Sequence, residues 1–296
     1  MGETEVTNAV MAAVLQWAHN SGRFSSIVGD HNYLDSTTAK YGGQQLLDLD
    51  DTNCRVYYDG DGAFSAESGF ENKPVTNVTW YGSVMFCNWL TEMRDGNTNN
   101  VVYAWIDNGD GEGTASDGIW QDDETDEDST SSGYRLPTIH EWEYAARYLG
   151  TAVPSTGGYL DTEYVALDHN DDGTSSLTSE YFWTPGDYAS GATADWHNTA
   201  ACQVVAVYAY ADPNPYDDEA TVKSLGSTSA NALGLYDMSG NVAEWCFTEG
   251  TSSRRYYTGG YWILNWTPSL STGANTYTLP DNDYNFMGFR LCRTAD

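Results

Sequence analysis

Basic residues are scarce in this 296-residue sequence: 12 Lys and Arg face 43 Asp and Glu, a formal charge of −31. Such a surface repels phosphate backbones and offers no counterion release, so nucleic acid is excluded as a partner. The plain reading of the charge is a solvated surface rather than an acidic docking patch. Long apolar runs are missing too. No stretch approaches the roughly eighteen consecutive apolar residues of a membrane helix, and the opening MGETEVTNAV lacks the basic start and apolar run of a signal peptide. A strand-like EVT so near Met1 makes an abrupt start, which leaves room for a leader or anchor upstream and leaves localisation open. The cysteines, Cys54, Cys87, Cys202, Cys246 and Cys292, are odd in number, widely spread and in no CxxC pair. They indicate neither a zinc site nor a disulfide framework. Neither a GxSxG nor a GxxxxGK[ST] string occurs, so serine-nucleophile and phosphate-loop chemistry lack their motifs.

What is present is enough apolar material, 40% of residues, for one large or two ordinary domains. A helical pattern runs from Asn8 to about Asn20, with Val10, Ala13, Val14 and Trp17 on one stripe and Gly22 as the stop. A second helix is predicted from about Tyr81 to Met93, with Val84, Cys87, Trp89 and Leu90 at helical spacing after the extended PVTNVTW from Pro74. A third begins at Thr138, an N-cap with Glu141 three residues on, and turns Trp142, Ala145 and Ala146 inward. Short runs such as CRVYY, VVYAW, QVVAVYAY and FRLC, parted by Gly, Asn, Asp and Ser, read as strands. The acidic stretch from Asp107 to Gly133 reads as a surface excursion. The pattern is α+β with few short helices, short strands and much irregular chain, organised as one domain over residues 1–296.

Four segments in order, PVTNVTWYGSVMFCNWL from Pro74, YRLPTIHEWEYAAR from Tyr134, NALGLYDMSGNVAEW from Asn231 and GFRLCR from Gly288, resemble the formylglycine-generating-enzyme (sulfatase-modifying factor) family. The resemblance extends from Glu5 to the C-terminus and implies a C-type-lectin-like fold. Within these segments Trp80, Trp89, Trp142 and Trp245 are large apolar anchors for a fold short of regular structure. Arg135 and Glu143 read as a satisfied interior pair or as helix-surface charges. His140, alone on its helix, reads as an ordinary surface residue.

In DMSGNVAEW, Asp237 and Glu244 supply hard carboxylate oxygens on either side of a turn, a combination that suits calcium. The resemblance implies an ion held by the Asp237 and Glu244 side chains and the Gly240 and Val242 carbonyls. The alternative is that Asp237 caps a turn and Glu244 pairs with an arginine. The loops DGDG from Asp59 and DHNDDG from Asp168 lack the full EF-hand spacing.

The converting enzymes of the family carry two copper-binding cysteines after an RGGSW-like strand. Here the strand is TGGYW, the two positions hold Leu264 and Ser269, and copper is not expected. Iron is not expected either, because the five histidines lie far apart with no paired motif. From Tyr256 to Asp296 there is no Lys, Gln or Glu, where their overall share predicts about three. That depletion matches one branch of the family, the diversity-generating-retroelement variable proteins, in which adenines of AAC-like codons are randomised and cannot yield those residues. The branch implies a non-catalytic receptor with a variable region near residues 261–291, displayed at a cell or virion surface. Its ligand-facing positions would be Ile263, Leu264, Asn265, Thr267, Ser269, Ser271, Asn275, Tyr277, Thr278, Leu279, Asp281, Asn282, Tyr284, Asn285 and Phe286. TGGYW and GFRL would be framework. Such a surface takes a protein, a glycan or a small molecule as its ligand. Two alternatives stay open: a formylglycine-generating or other oxygen-dependent oxidoreductase, and a calcium-stabilised interaction domain without diversification.

Overall fold

The computed structural model describes residues 1–24, 32–103, 131–150, 159–160, 182–184, 186–209, 222–251, 253–264 and 275–294. Most of the acidic stretch from Asp107 to Gly133, and Asn265, Thr267, Ser269 and Ser271, lie outside the described residues.

Helix α1 (Asn8–Asn20) starts where the Thr7 hydroxyl accepts the Val10 N–H and ends before Gly22 at φ +70°. Its buried face is Met11, Val14, Leu15 and Ala18, whereas Val10 and Ala13, expected to point inward, are exposed. Nearly every residue from Ala9 to Leu15 is apolar, so the period alone could not choose the face. Helix α2 (Trp80–Asp95) is capped by Thr79, whose hydroxyl accepts the Gly82 N–H, and stops at Gly96 in the left-handed region. Gly82 is required by packing: a Cβ there would lie 2.0 Å from the Leu46 carbonyl oxygen of strand β2 (Gln44–Asp48). That strand pairs antiparallel with β1 (Thr38–Tyr41). The segment CRVYY contributes β3 (Val56–Tyr58), paired with β4 (Phe64–Ala66).

The sheet behind the C-terminal region has four strands in the order β10 (Thr276–Thr278), β9 (Arg255–Thr258), β8 (Ala243–Glu249) and β11 (Met287–Gly288). The β10–β9 and β9–β8 pairs are antiparallel, and β11 joins β8 in parallel. A further short pair is β5 (Tyr134–Arg135) with β12 (Cys292–Arg293), and β6 (Tyr159–Leu160) pairs with β7 (Phe182–Trp183). Helix α3 (Ile139–Arg147) opens with the expected capping box: Thr138 accepts from the Glu141 N–H, and the Glu141 side chain from the Thr138 N–H.

Among the described residues two expected strands are absent, and of FRLC only Cys292 lies in a strand, β12. Val101–Tyr103 is irregular, and QVVAVYAY begins inside helix α4 (Thr199–Val205). An Asn198 cap, its side chain accepting the Ala201 N–H, outweighs the β preference of Val204 and Val205. The main core gathers α1, α2, β2, β8 and β11 around Trp80, Trp89, Trp245, Phe86 and Phe289, and Trp142 anchors a smaller cluster with Ile139 and Met238. All four tryptophans read as anchors are at least 99% buried. Three of their indole N–H groups have acceptors, Trp80 the Cys246 carbonyl and Trp245 the Val78 carbonyl, both at 3.0 Å, and Trp142 the Glu244 carboxylate, whereas Trp89 Nε1 is buried without one.

Candidate functional site: a buried charge knot beneath an exposed C-terminal face

The turn DMSGN that enters β8 is built on left-handed backbone. Asp237 (φ +55°), Gly240 (φ +79°) and Asn241 (φ +59°) all lie there, and Asp and Asn are the non-glycine residues that tolerate it best. Gly240 has no room for a side chain, since a Cβ would meet the Val207 carbonyl oxygen at 2.2 Å. All four residues of the expected calcium site lie on this turn and its exit into β8, but both carboxylates are occupied. Glu244 receives two hydrogen bonds from the fully buried Arg290, Nε to Oε2 and Nη2 to Oε1, each 2.6 Å, and a third from Trp142 Nε1 at 2.7 Å. Asp237 accepts the Thr228 hydroxyl at 2.8 Å and the Gly226 N–H at 3.0 Å. A calcium ion would have to take Glu244 from a bidentate guanidinium. As arranged, the set does not fit the ion, and the arginine pairing of Glu244 is the one present.

A third carboxylate, given no role from sequence, completes the knot. Glu5 is 3% exposed; its Oε1 accepts from Asn241 Nδ2 at 3.1 Å, and Oε2 has no hydrogen-bond partner. Burial, and then the nearby Asp237 carboxylate, push Glu5 well above the usual glutamate range. Burial likewise raises Asp237. Arg290 also donates to the Gly2 and Tyr236 carbonyls, so one guanidinium ties the N-terminal segment, the turn and β8 into a unit. Nothing in spacing could have found Glu5, since it meets Asn241 across 236 positions. The interior pair expected between Arg135 and Glu143 is resolved differently: Arg135 holds Glu141, and Glu143 holds Arg147 four residues on. His140 is exposed, as read.

The knot supports the C-terminal face from below. The Gly240 N–H donates to the Gly259 carbonyl and the Trp262 N–H to the Asn241 carbonyl, which fixes TGGYW against the turn. The Ala243 N–H takes the Phe286 carbonyl, and the Asn77 N–H takes that of Tyr284. On this frame Asn275, Tyr277, Leu279, Asp281 and Tyr284 are exposed, with Tyr277, Leu279 and Tyr284 each at 40% or more. Ile263, Leu264, Asn282 and Asn285 are half-buried. Thr278 is buried with its hydroxyl accepting from Asn282 Nδ2. Phe286 stacks between Tyr261 (centroids 4.0 Å apart) and Tyr284 (5.0 Å). The expected display positions among the described residues therefore divide: five face solvent, four are half-buried, Thr278 at the end of β10 is buried, and Phe286 is half-buried within the ring stack.

All five thiols are buried and unbridged. Burial lifts each of them, Cys54 to about 12 and Cys292 to about 11, the opposite of what a reactive or metal-binding thiolate requires. At one position where the converting enzymes place cysteine, Leu264 has its N–H on the Tyr261 carbonyl and its own carbonyl on the Ala209 N–H.

Residues 1–295 match the sulfatase-modifying factor enzyme 1-like domain. The chain belongs to that family. A relative in Paenibacillus barcinonensis, the chaperone protein LppX, is 31% identical over 222 residues, 71% of this chain and 65% of that protein, so the match spans just under two thirds of the relative's length. Among solved structures, Treponema denticola variable protein 1 is 22% identical and superposes with a TM-score of 0.50, covering 99% of this chain and 84% of that one. CarF is 21% identical with a TM-score of 0.49, covering 99% and 85%. The family and the Treponema neighbour agree with the C-type-lectin-like α+β fold read from sequence. Among the described residues no helix is long and apolar enough to cross a membrane.

Proposed function

We propose that this chain is a non-catalytic, receptor-type binding protein that displays a diversified C-terminal face on a fixed scaffold. The observation that carries the reading is the division just described. Asn275, Tyr277, Leu279, Asp281 and Tyr284 point outward, while the backbone beneath them is hydrogen-bonded to the turn, to β8 and to Asn77. Tyrosine, asparagine and aspartate on a rigid frame give aromatic contact and adaptable hydrogen bonds at low entropic cost. The absence of Lys, Gln and Glu from Tyr256 onward supports randomisation of those codons, and the Treponema neighbour, itself named a variable protein, supports the same class. Leu264 and Ser269 in place of the paired cysteines support a scaffold that does not convert sulfatases.

A library randomised at Asn275, Tyr277, Leu279, Asp281 and Tyr284 tests the reading. Most members should melt like the parent and the pool should yield binders to unrelated targets. Widespread unfolding would show that these side chains are structural. Incubating the copper-treated protein with a cysteine-containing sulfatase peptide should leave the peptide unmodified, and formation of an aldehyde would favour the oxidoreductase reading.

A further inference from the structure

Resting on the display reading, we propose that the Tyr284 end of this face binds a cationic side chain, lysine or arginine, presented by a partner protein. The site begins as a stack of three rings. Tyr261, Phe286 and Tyr284 lie nearly parallel, at 18° and 7° between successive planes, with Tyr284 the most exposed of the three at 43%. Stacked rings present a negative face to a cation. The backbone that carries the stack is tied down, because the Tyr284 carbonyl accepts from both Asn77 and Met287 and the Phe286 carbonyl from Ala243.

Charge selects the occupant. Asp281 and Asp283 flank Asn282, whose amide donates to the Tyr284 hydroxyl at 3.1 Å. Asp283 is half-buried, held by Gln45 Nε2 at 2.6 Å, and raised by burial and then by its neighbours Asp48, Asp51 and Asp281. A neutral amide partner leaves the surplus of negative charge in place. Between Tyr256 and Asp296 the basic residues are Arg290, buried on Glu244, and Arg293, which pairs with Tyr134 in the β12–β5 ladder and whose charge reaches Asp95. Arg255, whose charge reaches Tyr81 beside Asp281, folds back over Trp80 at 4.2 Å and donates to the Phe247 carbonyl. An aromatic platform on a segment that carries Asp281 and Asp283, neither in an ion pair among the described residues, favours a cation over a sugar, which stacks on the ring but gains nothing from the surplus charge.

Random peptides displayed on phage, selected on the full chain at physiological salt, test this. Winners are then titrated against Tyr284→Ser, the double variant Asp281→Asn/Asp283→Asn, and Asp61→Asn on the β3–β4 turn as a control for bulk charge. We expect winners rich in Lys or Arg that weaken about tenfold with either of the first two variants and hold their affinity with the third. Winners without basic residues that still depend on Tyr284 would overturn the cation and leave the display reading standing. Basic winners equally sensitive to Asp61→Asn would reduce the effect to net charge and overturn the site. Winners of any kind indifferent to Tyr284 would overturn both readings at this end of the face.

Discussion

Arg290 and Tyr284 stand six positions apart, yet one is wholly buried and the other is 43% exposed. Around Arg290 every polar contact is spent on Glu244, Gly2 and Tyr236. Around Tyr284 the backbone is spent in the same way, while the side chain, stacked on Phe286 and accepting from Asn282, stays largely open to solvent. Tolerance in this segment is thus set residue by residue, by which atoms the scaffold has claimed, and not by distance along the chain.

The sharpest way to break that contrast is at the knot. Arg290→Met strands Glu244 and leaves Glu5 and Asp237 beside it without a cation, and should cost about 3–5 kcal/mol in urea unfolding. Phe286→Ser comes next. It removes the middle ring of the stack and should cost about 1 kcal/mol, since that ring is half-buried and not enclosed. Tyr277→Ser and Leu279→Ser should fall within about 0.5 kcal/mol of the parent. If they unfold the protein as Arg290→Met does, the contrast is gone.

Acidity sharpens the same comparison. Glu5 and Asp237 have folded pKa values raised above the unfolded ones, so their contribution is complete below the ordinary carboxylate range and is lost as pH rises through the raised values. Stability measured from pH 4 upward should therefore decline, by about 1.4 kcal/mol per unit of pKa difference. Glu5→Gln, which cannot ionise, should flatten that decline relative to the parent. An unchanged slope would place the titration elsewhere. The smallest effect belongs to calcium: with Glu244 held by Arg290, melting in calcium and in chelator should coincide, and a clear rise with calcium would restore the four-ligand site.

Local features were legible in the sequence. The Thr138–Glu141 capping box, the Gly22 stop, the second helix and the four tryptophan anchors follow from signals a few residues wide, and the four family segments gave the fold. The misses are of two kinds. Where the apolar residues are too dense or too β-branched to show a period, as in α1 and in QVVAVYAY, the face and even the element were misjudged. Where a site depends on partners far apart in sequence, no spacing exists to read: Glu244 meets Arg290 across 46 positions and Trp142 across 102. The display positions were partly legible because composition marked the segment, but composition does not say which of Tyr277 and Thr278 turns inward.

Residues 2–6 are paired with the segment from Phe289 to Leu291: Gly2 N–H to the Leu291 carbonyl, Val6 N–H to that of Phe289, and a bridge between Glu5 and Arg290. Gly2 and Arg290 are 288 positions apart, so this clasp is a contact of very high sequence separation, and closing it carries a loop-closure cost that local pairings do not. The stretch proposed to vary runs directly into that closing segment. Under the proposed reading, a variant that misdirects Met287 to Leu291 leaves the first helix without its clasp and opens the molecule to proteolysis, so folding itself would screen the variants.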